Sequence, residues 1–227
     1  METSRSAVAE LVATFALVFV GAGAAITSGF GLDLTGVALA HGLVLGVMVS
    51  VTARLGGGMV NPVVSIGAWV AGRLTTVRTV AVVAAQLTGA VAAGLMLHYV
   101  VPATAFEAAS GGTPVVASGL ATGKAIVIEA VCTFFYVFAY FGTIVDDRGH
   151  LGRTAGFAVG LVAAFDIMAF GPFTGAAINP ARWFGPALAS GSWADWYVWI
   201  LGPLAGGIIA AVLYSAVFLR DRLLATP

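Results

Sequence analysis

Apolar residues come along this chain in long unbroken runs rather than in strict alternation with polar ones. Six runs, at about 7–28, 35–54, 78–101, 122–145, 153–171 and 196–218, are long enough to cross roughly 30 Å of hydrocarbon as helices rising about 1.5 Å per residue. Runs of this length predict helix, because the strands of a membrane barrel are stretches of about ten residues with alternating polarity. Two further apolar runs, about 61–71 and 179–190, are too short to span. Each begins Asn-Pro, a good capping residue followed by one that fits the first helical turn, so each predicts a short helix. The stretches before them, 56–60 and 171–178, are rich in Gly and Pro. They read as non-helical backbone entering the membrane, which is tolerated only where it lines a cavity or packs on protein.

The two halves of the chain align with each other. Glu10, Thr14 and Phe15 correspond to Glu129, Thr133 and Phe134; Ala40, Gly42 and Leu43 to Ala158, Gly160 and Leu161; Asn61-Pro62 to Asn179-Pro180; Leu87 and Gly89 to Leu204 and Gly206. The offset drifts by only two residues over this span. Each half holds three spans and one short helix. Three is odd, so the second half enters from the opposite face, which makes the repeat an inverted one. The expected fold is therefore an all-α membrane protein: six transmembrane helices plus two re-entrant half-helices, in one channel domain over 1–227. Residues 1–112 form the first repeat and 113–227 the second, with 102–121 as the external linker.

Composition agrees with this picture. The chain has 227 residues, of which 60% are hydrophobic and only 9% charged, against about 25% in soluble domains. The formal net charge is zero, so no nucleic-acid partner is implied. The single cysteine, Cys132, reads as a small core hydrophobe. The first twenty residues do not read as a cleaved signal. Arg5, Arg54, Arg73, Arg78, Arg148, Arg153, Arg220 and Arg222 fall on the side of the two termini, with only Lys124 and Arg182 opposite. By the positive-inside rule, both termini are expected in the cytoplasm.

The inversion carries the functional reading. Two half-length helices entering from opposite faces, each about 15 Å long, bring their Asn-Pro starts together near the midplane. Helix N-termini present unpaired N–H groups and a partial positive charge, and Asn61 and Asn179 add amide donors. Such a centre repels cations and holds the oxygen of a neutral molecule, and a water held by two donors is poorly placed to relay a proton. No metal-ligand cluster, cofactor motif or nucleophile–base pair stands out, so an enzyme is not expected.

The stretch Gly175-Ala-Ala-Ile-Asn-Pro-Ala-Arg182, continuing Trp-Phe-Gly-Pro-Ala187, resembles the paired motif of the aquaporin and aquaglyceroporin family. Gly57-Gly-Met-Val-Asn-Pro-Val-Val-Ser65 is its first copy, and Ala9-Glu10-Leu-Val-Ala-Thr-Phe15 resembles the family's opening helix. The resemblance covers essentially the whole chain. It implies pore-centre residues Asn61, Pro62 and Val63 with Asn179, Pro180 and Ala181, and a selectivity filter of His41, Ile167, Ala176 and Arg182. That set looks most like the plant vacuolar-membrane branch. The resemblance also implies a homotetramer with one pore per protomer. Departures from the family pattern are Val63, expected to narrow or reshape the midpoint, Met59, Trp183 after the arginine, and Trp199-Ile200 in place of an aromatic pair.

The expected activity is passive passage of water, with ammonia and other small neutral solutes, through a bilayer-embedded pore that excludes protons and ions. A glycerol facilitator and an ion-coupled transporter stand as alternatives; the latter would want a charged midplane site. Intramembrane carboxylates are functional suspects. Glu10 and Glu129 are read as structural acceptors for the non-helical backbone rather than as a proton relay. Asp166 has no acidic counterpart in the first half, and is expected to pair with Lys124 or anchor an outer loop. His98 and His150 are expected near headgroups. Small-residue pairs such as Gly42 and Gly46, Gly156 and Gly160, and Gly202 and Gly206 predict close helix packing. The Ala- and Val-rich composition points to a bacterial source and hence a plasma-membrane location.

Overall fold

The computed structural model describes residues 2–148 and 151–219. His150, Arg220 and Arg222 lie outside them, as does the side chain of Arg153. The helices in chain order are α1 (Glu2–Thr27), α2 (Leu34–Gly56), α3 (Pro62–Val70), α4 (Thr76–Val100), α5 (Ala103–Ala108), α6 (Thr122–Tyr140), α7 (Ala155–Thr174), α8 (Pro180–Ser190) and α9 (Val198–Phe218). A π turn over Phe141–Val145 extends α6. Six of these helices are long and apolar enough to cross a membrane. Their outward faces carry exposed Val8, Val12, Leu43, Val47, Val127, Phe135, Leu161 and Ile209, among others. So much exposed hydrocarbon requires lipid around it. The short α3 and α8 start at Pro62 and Pro180, each behind an asparagine cap.

One expectation is corrected. Helix continues through Pro172 to Thr174, so only 175–179 is non-helical before α8. A proline in the last turn removes a single backbone bond, and the helix is ended instead by Gly175 in the left-handed region at φ 77°. The external linker is also less featureless than expected, since it contains α5 and a short 3₁₀ turn over Ser110–Gly112.

Inverted symmetry is visible in the packing. α1 lies on α4 as α6 lies on α9, and α2 lies on α7. A Cβ on Gly89 would meet the Leu11 carbonyl, and one on Gly206 would meet the Ala130 carbonyl. At the centre Gly42 and Gly160 face each other so closely that a side chain on either would strike the other's carbonyl. Glycine at these helix interiors costs about 1 kcal/mol of propensity each, and what it allows is backbone approach between helices in lipid.

One end of the bundle gathers several arginines. Arg78 donates from Nη2 to Ser6 Oγ at 3.0 Å, tying the start of α4 to the start of α1. Past the end of α6, Arg148 pairs with Asp146 and donates to the Phe218 carbonyl at 2.7 Å, while Tyr214 donates to Asp146 at 3.0 Å. The Arg148 hydrogen bonds hold the Asp146 carboxyl well below the usual carboxylate range.

Candidate pore and constriction

The backbone ahead of α3 and of α8 repeats the same unusual path. Gly57, Gly58 and Val60 have φ of 105°, 61° and 53°; Gly175, Ala176 and Ile178 have 77°, 42° and 49°. A β-branched residue in the left-handed region is strained, and it persists only where its surroundings hold it. Two buried carboxylates supply the hold. Glu10 accepts from the Met59 and Val60 N–H groups at 2.8 and 2.7 Å, and from Gln86 Nε2 at 2.7 Å. Glu129 accepts from the Ala177 and Ile178 N–H groups at 3.0 and 2.8 Å. Both are fully buried, and neither is among the residues lining the two cavities described below.

Asn61 and Asn179 meet at the centre. Asn61 Nδ2 donates to the Ile178 carbonyl at 2.9 Å, and Asn179 Nδ2 donates to the Val60 carbonyl at 2.8 Å. Each side-chain oxygen caps its own helix, Asn61 accepting from Val63 N and Asn179 from Ala181 N. The caps and the cross-bonds orient both amides. Each Nδ2 carries two hydrogens. One per residue is used in these bonds, which leaves one N–H of each amide for an oxygen in the lumen.

A narrow cavity of about 20 Å³ runs past these two amides. That is room for one water at a time. Leu17, Leu45, Tyr136, Ala163, Ala177 and Ile178 complete its wall with His41, Ile167, Ala176 and Arg182. A second, open cavity of about 520 Å³ forms a vestibule at the α5 end. His41, Ile167 and Arg182 line both cavities, so the passage between vestibule and lumen runs through them; Ala176 lies on the lumen side. Arg182 is 6% exposed and is tied down at two points. Its Nε donates to His41 Nε2 at 2.9 Å and its Nη1 to the Gly112 carbonyl at 2.9 Å. His41 Nδ1 bonds the Val37 carbonyl at 2.8 Å. These two contacts assign the hydrogen to Nδ1 and leave Nε2 as acceptor. The Gly112 carbonyl was legible in the sequence only as linker.

Two expectations are corrected here. Val63 does not face the lumen: it is fully buried with its Cγ1 against Gly207 of α9. The extra carbons fill the space that a glycine leaves on the facing helix. Replacing Val63 by Ala is therefore expected to leave the unit water permeability unchanged and to lower thermal stability. The loss is about 1–3 kcal/mol, the cost of a cavity of that size, read from melting of the purified protein in detergent. Asp166 does not pair with Lys124. It is 2% exposed, with its Oδ2 buried and without a hydrogen-bond partner, while Lys124 is exposed at the start of α6. Cys132 is 1% exposed and belongs to the apolar core. Trp183 also points away from the passage. It stacks on Trp199 at 5.8 Å, and Trp199 Nε1 donates to the Thr174 carbonyl at 3.0 Å, bracing the end of α7. His98 is exposed and stacked on Phe106.

Comparison with known proteins bears on this geometry at the level of the whole chain. The Major intrinsic protein family model matches residues 1–214. The chain belongs to that family. Aquaporin TIP4-4 of Zea mays is 42% identical over 227 residues, covering 96% of this chain and 88% of that protein. Aquaporin TIP2-1 of Arabidopsis thaliana is 39% identical over 224 residues, covering 95% and 88%. The X-ray structure of the aquaglyceroporin from Plasmodium falciparum superimposes with a TM-score of 0.84 at 23% identity, covering 98% of this chain and 100% of that one. That similarity establishes the fold. The protein is a multi-pass membrane channel of the aquaporin fold.

Proposed function

We infer that the channel passes water, together with ammonia and other small uncharged solutes, and excludes protons and ions. The observation that carries this reading is the pair of amides, Asn61 and Asn179, cross-bonded to each other's loops beside a cavity of about 20 Å³ with room for one water. A water oxygen in that passage meets two fixed N–H donors at the positive ends of α3 and α8. It is held with its own hydrogens turned outward along the file, and the hydrogen-bonded chain that would relay a proton is interrupted. His41, Ile167, Ala176 and Arg182 are assigned as the selectivity constriction, with donors from Arg182 and an apolar side from Ile167 and Ala176. No Phe, Tyr or Trp stands among these four, which favours water and ammonia over the glycerol carbon chain. Glu10 and Glu129 are assigned to holding the loops, because they accept from loop N–H groups and, for Glu10, from the buried Gln86 side chain.

The same reading has both termini in the cytoplasm, on the arginines collected at that end, and takes the membrane to be the plasma membrane, on the Ala- and Val-rich composition. It also has four protomers assembling through their apolar flanks, each with its own pore. Purified protein in liposomes is expected to shorten the osmotic light-scattering transient for water well below that of empty liposomes. An internal pH dye should show faster ammonia entry, with glycerol slower than both. If none of water, ammonia, urea or glycerol moves faster than through protein-free liposomes, the channel reading fails.

A further inference from the structure

The His41 ring is held on three sides. Val37 and Arg182 hold its two nitrogens, and its edge lies against α1 at Gly21. A Cβ built at Gly21 would stand 2.5 Å from both Cδ2 and Nε2 of that ring and 3.1 Å from Cε1. Gly21 lies inside a regular helix and is not among the residues with positive φ, so no backbone requirement explains a glycine here. It costs about 1 kcal/mol of helix propensity relative to alanine. Its neighbour Gly23 differs: a Cβ there would meet only Leu97, at an ordinary 3.5 Å.

We propose that Gly21 is a specificity-determining residue of this pore: its missing side chain is a recess in α1 that seats the edge of the His41 ring, draws the ring out of the passage and keeps Nε2 on Arg182. The proposal rests on His41 and Arg182 forming the selectivity constriction. With a methyl at position 21 the ring must move by roughly 1 Å to regain ordinary contact distance. α1 closes the way back, so the ring swings across the lumen and gives up its bond to Val37, to Arg182, or to both. In a lumen with room for one water at a time, that displacement obstructs every permeant and the larger ones most.

The test uses full-length protein in liposomes and four forms: wild type, Gly21→Ala, His41→Ala and the double variant. Gly21→Ala is expected to lower water permeability per channel by roughly tenfold and to lower the urea-to-water ratio further. In the His41→Ala background the same substitution is expected to change neither quantity. Wild-type permeability and ratio in Gly21→Ala overturn the proposal, and so does an equal loss in both backgrounds. Should Gly21→Ala fold poorly, melting temperatures of the four forms decide. Recovery in the double variant supports the contact with His41, and a loss that persists there overturns it. Failure of the constriction reading itself would show separately, as a wild-type urea-to-water ratio in His41→Ala alone.

Discussion

Replacing Arg182 by Val is expected to raise urea permeability by roughly tenfold or more, the effect of lowering a barrier by about 1.4 kcal/mol, while water permeability changes little. The guanidinium crosses from α8 to His41 on α2 and to the Gly112 carbonyl in the linker, and so closes one side of the passage between vestibule and lumen. Valine retains none of that reach. The substitution also removes a fixed positive charge that stays protonated at any usable pH. Cation leak is expected to rise less than urea flux, because the N-terminal ends of α3 and α8 still oppose cations at the amide pair. Water is already able to pass, so widening the passage gains it little. Stopped-flow light scattering with urea and with an impermeant osmolyte separates the two solutes. A urea-to-water ratio equal to wild type would remove Arg182 from the constriction.

The second large effect is on stability rather than conduction. Glu10→Ala strands the Met59 and Val60 N–H groups and one of the two Gln86 Nε2 hydrogens, the other being donated to Ser65 Oγ. An unsatisfied buried donor costs about 1–3 kcal/mol, so the variant is expected to lose several kcal/mol and to release the strained loop ahead of α3. Because Val60 accepts from Asn179, loosening that loop is expected to disturb both amides at the centre. Glu129→Ala strands two loop N–H groups by the same logic. Thermal melting in detergent reads the loss, and Glu10→Gln, which keeps one acceptor oxygen, is expected to fall between wild type and Glu10→Ala. If instead Glu10→Ala melts like wild type while proton flux changes, the carboxylate is a relay and not a brace.

Much of this architecture was legible from local signals. The six spans follow from apolar run length, and the two half-helices from Asn-Pro at their starts. The odd number of spans per half makes the repeat inverted, which in turn requires Asn61 and Asn179 to converge. Pro172 reads as a breaker and so ends the fifth span at 171, whereas near a C-terminus it removes only one bond and α7 runs on to Thr174. Val63 and Asp166 depart from expectation for a different reason. Nothing along the chain says which face of a fully apolar helix meets the lumen and which meets a neighbour.

By itself, then, the sequence determined what depends on near neighbours: hydrophobic length, capping, the repeat and its inversion. The tertiary structure alone decided which atoms border the passage. The Gly112 carbonyl that anchors Arg182, the Gly207 that receives Val63 and the Gly21 that seats His41 are each brought to their partners across long stretches of chain. Such contacts arise from the packing of whole helices, and in segments apolar on every side no periodicity records them.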